Sequence, residues 1–262
     1  DPTPFNLPAW VPMSAKEKLN KAIKNIDNII IGMMNERCST DKYEGKLLAN
    51  VMDQKDDDGR AISREDALAE IKNVFISSFF STSDLLAWLV YSLAQYPCWA
   101  DKIYYNCKFF EEQPDPRSLE NSVDMQFFIH EVLRFYSPAW ASSHRTIDAL
   151  ELGDYIIPKH VTVLVSIYNL HRHPAFWDQP KTFNPERFRS FHEQREKAMF
   201  VPFGLGPRKC VGMGLATLVI NIVCAKIVCN FNLSVNQKVV PAVQSRVSLG
   251  SKDDLEVFIS PR

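Results

Sequence analysis

Apolar residues recur every three or four positions along much of the chain, which is the spacing of an amphipathic helix. The pattern is clear after Ser14, which together with Glu17 forms the residue pair of an N-terminal capping box. Prolines mark where several of these stretches stop, because the residue before a proline is disfavoured in a helix. Helices are predicted over about 14–37, 43–54, 64–96, from Pro97 onward, 118–136 and 210–230.

The helix predicted over 64–96 stands out because residues 74–94 are apolar on nearly every side. A helix that is hydrophobic all round is either buried in a core or spans a membrane. Asp84 lies in the middle of the stretch, and a carboxylate at the centre of a bilayer costs about 2.5–3.5 kcal/mol. We therefore expect a core helix that crosses the middle of the molecule. The chain begins at Asp1 rather than Met, which leaves open a membrane anchor upstream of it.

Short β-rich runs and irregular chain separate the later helices. Residues 171–209 contain five prolines and little periodicity, and a long irregular stretch in a compact domain is usually functional. The pattern as a whole predicts a single domain over residues 1–262 that is mainly α with small β-sheets. Strands are predicted at 155–157, 161–166, 231–235, 247–249 and 255–259.

Composition narrows the range of functions. The 30 Lys and Arg residues nearly balance the 31 Asp and Glu residues, which argues against a nucleic-acid partner bound through bulk positive charge. Apolar residues make up 46% of the chain, enough for a sizeable core. The six cysteines show no Cys-x-x-Cys spacing, and their low density favours free thiols in a reducing, cytoplasmic-type compartment.

The residues around Cys210 carry the clearest chemical signal. Residues 201–214 read VPFGLGPRKCVGMG, in which Gly204 and Gly206 let the backbone turn sharply ahead of the cysteine. Arg208 and the start of the predicted helix bring positive charge to the sulfur and favour its thiolate form. A thiolate of this kind is a metal ligand or a nucleophile. No His or Asp stands at a characteristic offset to act as base, and a lone thiolate suits an iron whose other donors come from a haem.

The segment FGLGPRKCVG is similar to the cysteine loop of the cytochrome P450 haem-thiolate enzymes, F-G-x-G-x-R-x-C-x-G. Six specified positions agree and Pro207 falls among them, so a chance match of this quality is very rare at average residue frequencies of about 5–7%. The resemblance extends over essentially the whole chain. It implies a P450-like fold that binds haem b, with iron held by the Cys210 thiolate. The cofactor-binding residues that it implies are Cys210, Phe203, Arg208, Arg145, Gly204 and Gly206.

Two weaker patterns stand in the order expected of that family. Glu131 and Arg134 form a Glu-x-x-Arg pair on one face of a helix, and Arg187 lies in a Pro-Glu-Arg-Phe segment. The resemblance implies that Arg187 joins the pair and that this trio locks the cysteine loop. The alternative for each residue is a surface ion pair of little energetic consequence. Arg145 and Arg208 are implied to hold the haem propionates, because guanidinium groups suit carboxylates.

The long helix departs from the family pattern. Counting back from Pro97 places the family's oxygen-activating segment, A/G-G-x-D/E-T, on residues 77–81. Phe80 then stands where the family has an acid that supplies protons, and Ser81 stands where it has a threonine. Ser81 or Thr82 is the candidate catalytic hydroxyl, and tight packing against a flat ring is an equally good interpretation of the segment.

Three functions therefore remain open. The favoured one is a monooxygenase that inserts one oxygen atom from dioxygen into an apolar organic substrate. A peroxygenase or isomerase that needs no proton-relay acid is the second, and a non-catalytic haem-binding remnant is the third. Because chains of this family are much longer, we also expect the N-terminal part to be absent here, in a fragment or a reduced relative.

Electrons for the favoured reaction have to come from a partner, since the sequence carries no flavin or NAD fingerprint. We expect a ferredoxin, a flavodoxin or a reductase. Seven Lys or Arg residues and three Glu residues lie between Lys181 and Lys209, a basic patch for such a partner or simply a solvated loop face. The residues that line the apolar substrate side, or alternatively pack in the core, are predicted to be Phe79, Phe80, Leu85, Trp140 and Ala141.

Overall fold

The computed structural model describes residues 14–39, 47–55, 58–110, 115–190, 198–236 and 241–262. Helices predominate in this part of the chain, and the strands are short, so the fold is mainly α with small β-sheets as predicted. Residues 1–13 lie outside the described residues. The helices are α1 (Ser14–Ser39), α2 (Leu47–Met52), α3 (Arg64–Gln95), α4 (Pro97–Cys107), α5 (Val123–Phe135), α6 (Ile167–Leu170) and α7 (Met213–Asn230).

The strands form antiparallel pairs, each a separate two-stranded sheet. The pairs are β1 with β4, β2 with β3, β5 with β8 and β6 with β7. The first and last strands of the tail therefore pair with each other and enclose the β6–β7 pair. The strands are β1 (Ser142–Arg145), β2 (Leu150–Leu152), β3 (Tyr155–Ile157), β4 (Thr162–Val165), β5 (Phe231–Ser234), β6 (Val243–Ser245), β7 (Leu249–Ser251) and β8 (Phe258–Pro261).

The chain divides into two compact units, Asp1–Ser78 and Phe79–Arg262. The first unit has a small apolar cluster of its own. The start of α3 is capped there by Ser63, whose hydroxyl oxygen accepts a hydrogen bond from the Asp66 N–H at 3.0 Å. The buried residues of the cluster are Ile30, Met34, Leu48 and Ala67.

The second unit contains the main core, which joins the second half of α3 to α4, α5 and α7. Burying each large apolar side chain there contributes about 1.5–3 kcal/mol. Trp88 of α3 stacks on Tyr136 with ring centroids 4.0 Å apart, and its indole N–H donates to the Leu249 carbonyl at 2.8 Å. That bond ties the β6–β7 pair to α3. Fully buried members of the core include Leu89, Leu93, Ile103, Phe128, Val132 and Cys224.

Helix α3 is buried only in part, which corrects the prediction for residues 74–94. Phe79 and Phe80 are 61% and 43% exposed, whereas the helix lies in the core from Leu85 onward. The apolar cluster built with α4, α5 and α7 reaches α3 only over that second stretch. Among the described residues, α3 and α7 are each long and apolar enough to cross a membrane by length and composition alone.

The single helix predicted over 118–136 is also wrong. The chain forms a 3₁₀ turn over Pro116–Asn121 and then α5, with a break at Ser122. The buried Ser122 hydroxyl accepts a hydrogen bond from the Cys107 thiol, with sulfur and oxygen 3.5 Å apart. Its backbone has a ψ of 88°, outside the helical range. A tertiary contact to α4 thus accompanies a break that the sequence periodicity does not indicate.

Candidate active site

The cysteine loop is held in a tight turn by its glycines. Gly204 and Gly206 have φ angles of 73° and 72°, in the left-handed region that favours glycine. The turn brings the Cys210 N–H to 2.8 Å from the Phe203 carbonyl oxygen, to which it donates a hydrogen bond. Helix α7 begins at Met213, so the prediction that the helix starts near Cys210 is early by three residues. The Cys210 N–H therefore donates within the loop and takes no part in the hydrogen bonds of α7.

Cys210 differs from the other cysteines in its surroundings. Its side chain is exposed, whereas Cys107 and Cys224 are buried in the core. Burial raises the pKa of both core thiols, because it disfavours the charged thiolate. Cys98 is also exposed, but it lies in the first turn of α4 without a glycine turn ahead of it. Of the described cysteines, Cys210 alone combines an exposed sulfur with a preorganised loop.

The two arginines predicted to hold the haem propionates are both exposed. Arg208 follows the glycine turn, and Arg145 ends β1, where it pairs with Thr162. Neither guanidinium forms a hydrogen bond or ion pair with any residue in the described ranges. Phe203, between the core and the loop, is half-buried. The chemistry of this set, one thiol with two unpaired guanidinium groups, suits a metal-bearing group that carries carboxylates.

Glu131, Arg134 and Arg187 meet in one ion network. The Arg134 Nε lies 2.7 Å from Glu131 Oε2, and its Nη2 lies 2.7 Å from Oε1, a two-point contact between fully buried side chains. The Arg187 Nε donates to Glu131 Oε1 at 3.2 Å. The alternative of separate surface pairs does not describe this geometry.

The same network also holds the largely irregular chain after α6, which includes a 3₁₀ turn over Pro185–Arg189. Arg134 donates to the backbone carbonyls of His171 at 2.7 Å and Pro180 at 3.0 Å. Glu131 Oε1 also accepts the Asn184 N–H at 2.7 Å. Buried backbone groups require such partners when no ladder supplies them. The ion pair therefore anchors the segment that leads towards the cysteine loop.

His171 is a member of this region that the sequence did not single out. Its side chain is completely buried, and its Nε2 accepts a hydrogen bond from the Val201 N–H at 3.0 Å. Burial lowers the pKa of His171 to about 3, helped by the nearby positive charge of Arg134. The ring is therefore neutral near pH 7. A lone histidine in an irregular run has no periodicity that could have identified it.

The helix segment predicted to activate oxygen is partly accessible. Ser81 and Thr82 are half-buried, and they follow the exposed Phe79 and Phe80. Asp84 does not stand in for the missing acid, because its carboxylate accepts a hydrogen bond from the Ser248 hydroxyl.

The predicted apolar lining residues fall into two groups. Leu85 belongs to the main core, which favours its packing interpretation. Trp140 and Ala141 are half-buried, and the Trp140 indole N–H donates to the Arg246 carbonyl at 3.1 Å. Phe79 and Phe80 are the members of the set that remain exposed.

The comparison with protein families is decisive. The cytochrome P450 family model matches residues 2–255, nearly the entire chain. The chain belongs to the cytochrome P450 family. The retinoic-acid-bound cyanobacterial CYP120A1 has a similar fold, with a TM-score of 0.85 at 19% identity over 93% of this chain and 57% of that one. The P450 fold implied by the cysteine loop is thus confirmed.

Curated P450 relatives share sequence with most of this chain. A human ultra-long-chain fatty acid omega-hydroxylase is 33% identical over 190 residues, which cover 70% of this chain and 36% of the relative. An Arabidopsis thaliana cytokinin hydroxylase is 26% identical over 260 residues, covering 93% of this chain and 50% of the relative. The chain therefore spans half or less of the length of these two relatives.

Removing Glu131 tests the buried network. Glu131→Ala leaves the Arg134 guanidinium buried without its counter-charge, and we expect the free energy of unfolding to fall by about 3–5 kcal/mol. Urea denaturation monitored by circular dichroism measures the loss. Glu186→Ala is the control, because Glu186 forms exposed pairs with Lys102 and Arg189 whose loss costs about 0–1 kcal/mol. Equal losses in the two variants would contradict a buried, cooperative network.

His171 predicts a specific dependence of stability on pH. Its pKa is about 3 in the folded chain against 6.5 in the unfolded one, so below pH 6.5 the unfolded chain binds the extra proton. The stability that His171 contributes is complete above pH 6.5 and falls towards pH 3, by up to about 1.4 kcal/mol per pH unit. Urea denaturation at a series of pH values should show a flatter profile for His171→Gln than for the parent chain. Parallel profiles would show that His171 does not titrate in this way.

Proposed function

We propose that this chain, as a single domain over residues 1–262, is a haem-thiolate monooxygenase of the P450 type. In this proposal the Cys210 thiolate would bind the iron of haem b. The reaction inserts one oxygen atom from dioxygen into an apolar organic substrate. The observation that carries the proposal is the exposed Cys210 thiol on a glycine turn, in a chain of this family.

The cysteine loop fits a flat cofactor in several respects. A Cβ built on Gly204 or Gly206 would meet no atom of the described residues within 4 Å, so the face of the turn is open for close approach. Leu205, Val211 and Leu215 expose apolar side chains on either side of the cysteine. A porphyrin has a large apolar surface that such residues would cover. Two exposed guanidinium groups, of Arg145 and Arg208, supply charge for its propionates.

The residues of the chain have distinct roles in the proposed reaction. Bound haem supplies the iron at which dioxygen is activated, and electron donation from the thiolate favours cleavage of the O–O bond. Ser81 or Thr82 would supply the hydroxyl proton from α3. The trio of Glu131, Arg134 and Arg187 fixes the irregular segment behind the cysteine loop and acts on the chemistry only through that loop.

The substrate and the electron donor are proposed by class. The two relatives described above are hydroxylases, which supports oxygen insertion as the reaction. Exposed phenyl rings at Phe79 and Phe80 suit an apolar substrate. We propose a ferredoxin, a flavodoxin or a reductase as the electron donor. It would dock on the basic patch between Lys181 and Lys209. Residues 191–197 of that patch lie outside the described residues. The free cysteines of the described ranges suit a reducing compartment.

One observation favours a second candidate function. Phe80 occupies the position of the proton-supplying acid, and the nearest carboxylate along α3, that of Asp84, is engaged by Ser248. A peroxygenase or isomerase of the same family type has no need of that acid. Peroxide already carries the two electrons and protons that the dioxygen route must collect. The third alternative is a haem-binding remnant, which would retain haem but show no turnover.

Exchange of Cys210 tests the ligand. We expect Cys210→Ser to abolish the far-red-shifted absorption band that a thiolate-ligated haem shows when reduced and exposed to carbon monoxide. Cys98→Ser is the matched control, because it removes the other fully exposed thiol among the described cysteines and should leave the band intact. Loss of the band in Cys98→Ser but not in Cys210→Ser would overturn the ligand assignment. A parent chain that binds haem without the band would favour the remnant.

Restoring the family pattern on α3 separates the dioxygen and peroxide routes. The double variant Phe80→Asp, Ser81→Thr supplies the missing acid, and a general acid contributes about 10²–10⁴-fold. We expect the ratio of dioxygen-coupled to peroxide-driven turnover to rise by a factor within that range, measured on one apolar substrate. Phe79→Asp places the same charge one residue earlier, at a more exposed site, and should leave the ratio unchanged. If the double variant keeps its haem content and the ratio does not change, Phe80 does not determine which of the two routes the chain uses.

A further inference from the structure

His171 touches two parts of the molecule through different groups. Its backbone carbonyl accepts a hydrogen bond from Arg134 Nη1 at 2.7 Å, within the buried ion network. Its ring Nε2 accepts the Val201 N–H at 3.0 Å, thirty positions further along the chain. Val201 is the residue that leads into the cysteine loop. One side chain thus closes the irregular segment between residues 171 and 201.

A short series of hydrogen bonds continues from Val201 to the cysteine. The Val201 carbonyl accepts the Gly204 N–H at 3.0 Å, and the Phe203 carbonyl accepts the Cys210 N–H at 2.8 Å. These bonds fix the turn in which Gly204 has its positive φ angle. The position of Val201 therefore determines where the turn begins and, through the turn, where the sulfur lies.

The state of the His171 ring indicates that its acceptor nitrogen matters. Because Nε2 accepts a hydrogen bond, the neutral ring carries its proton on Nδ1. Nδ1 is buried and has no hydrogen-bond partner in the described part of the chain. A buried donor without a partner is costly, and a phenylalanine or leucine would avoid that cost while packing in the same place. The hydrogen bond that Nε2 accepts from Val201 explains why a histidine stands here despite the cost of its buried Nδ1–H.

The packing around the ring is apolar and would accept another aromatic group. Phe200 lies 5.4 Å away and Trp177 6.4 Å away, measured between ring centroids. Packing alone therefore does not require a nitrogen at this position, whereas the hydrogen bond from the Val201 N–H requires an acceptor nitrogen.

We propose that His171 is a positioning residue that sets the place of the Cys210 sulfur through its hydrogen bond to the Val201 N–H. The proposal rests on the proposed function, because it takes Cys210 as the haem ligand. Its structural part, a link from the buried ion network to the cysteine loop, holds whether or not haem is bound.

Two substitutions separate the hydrogen bond from ring packing. His171→Gln keeps an acceptor near the place of Nε2 and removes the ring, whereas His171→Phe keeps a ring and removes the acceptor. We expect the Gln variant of the full chain to retain the carbon monoxide band of thiolate-ligated haem, and the Phe variant to lose a large part of it. His130→Phe is the control, because His130 packs on the same Phe200 ring and should leave the band unchanged.

Amide hydrogen exchange in the haem-free chain gives an independent readout. Loss of one hydrogen bond of ordinary strength should raise the exchange rates of the Val201 and Gly204 amides roughly tenfold in His171→Phe and much less in His171→Gln. This measurement does not involve haem. A parent chain without a thiolate band would overturn the proposed function, while the exchange rates would still test the link.

Several results would overturn the proposal. Retention of the band and slow exchange in His171→Phe, with losses in His171→Gln, would show that ring packing is what matters. Equal behaviour of the two variants would also exclude the hydrogen bond as the cause. Where His171→Phe does not fold, His171→Leu takes its place. If neither apolar variant folds and His171→Gln does, the acceptor serves folding rather than the position of the sulfur.

Discussion

A glutamate and an arginine meet inside the second unit with both side chains removed from water, and the irregular part of the fold is arranged around them. Bringing two charges into the interior costs several kcal/mol for each ion unless attraction and hydrogen bonds offset the loss of hydration. Glu131 and Arg134 make two contacts with each other, and the remaining hydrogen-bonding groups are taken up by Arg187 and by backbone atoms. The pair is stabilised by backbone groups of the surrounding segment, which is also held by the buried side chains of Trp177, Phe183 and Phe188.

The consequence for chemistry is that the cysteine loop is supported by polar contacts as well as by the hydrophobic core, against which Phe200 and Phe203 pack. The core of α4, α5, α7 and the second half of α3 fixes the helices. The described part of the segment before the loop has no strand ladder, and its buried apolar side chains are those of Trp177, Phe183, Phe188 and Val201. Carbonyl groups of His171 and Pro180 also accept hydrogen bonds from the Arg134 guanidinium. A change in the buried ion network is therefore expected to lower the stability of the fold and to disturb the segment that leads to the loop.

Local periodicity and proline positions were enough to predict most helices. The end of α3 ahead of Pro97 and the strand at 155–157 agree with the structure to within a residue. The break at Ser122 was missed because it coincides with a contact to Cys107 in another helix. The start of α7 was misplaced because the Cys210 N–H bonds to Phe203 rather than to a helical carbonyl. Hydrogen bonds outside the regular helical spacing produce no periodic pattern in the sequence that could predict them.

The site was predictable to a different degree for each kind of residue. Cys210 and its glycines form a contiguous segment, so one match identifies them together. Glu131, Arg134 and Arg187 required a resemblance, since the spacing of the first two is common by chance and the third lies more than fifty positions away. His171 has neither a local pattern nor an adjacent partner, and only the fold brings it to Val201.

The exposed aromatic residues of α3 bear on the route of oxygen chemistry more directly than the cysteine loop does. A thiolate on a glycine turn is compatible with dioxygen and with peroxide as the source of the oxygen atom. The two routes differ in the source of the protons. In the proposed reaction, residues 79–82 would determine that source. A phenyl ring at position 80 can pack against an apolar group but cannot donate a proton, and the Asp84 carboxylate is bound to Ser248. Hydroxyl groups at Ser81 and Thr82 relay protons only if an acid or water supplies them. Under the proposed function, residues of α3 would therefore distinguish the two routes, while the loop, the ion network and His171 would be common to both.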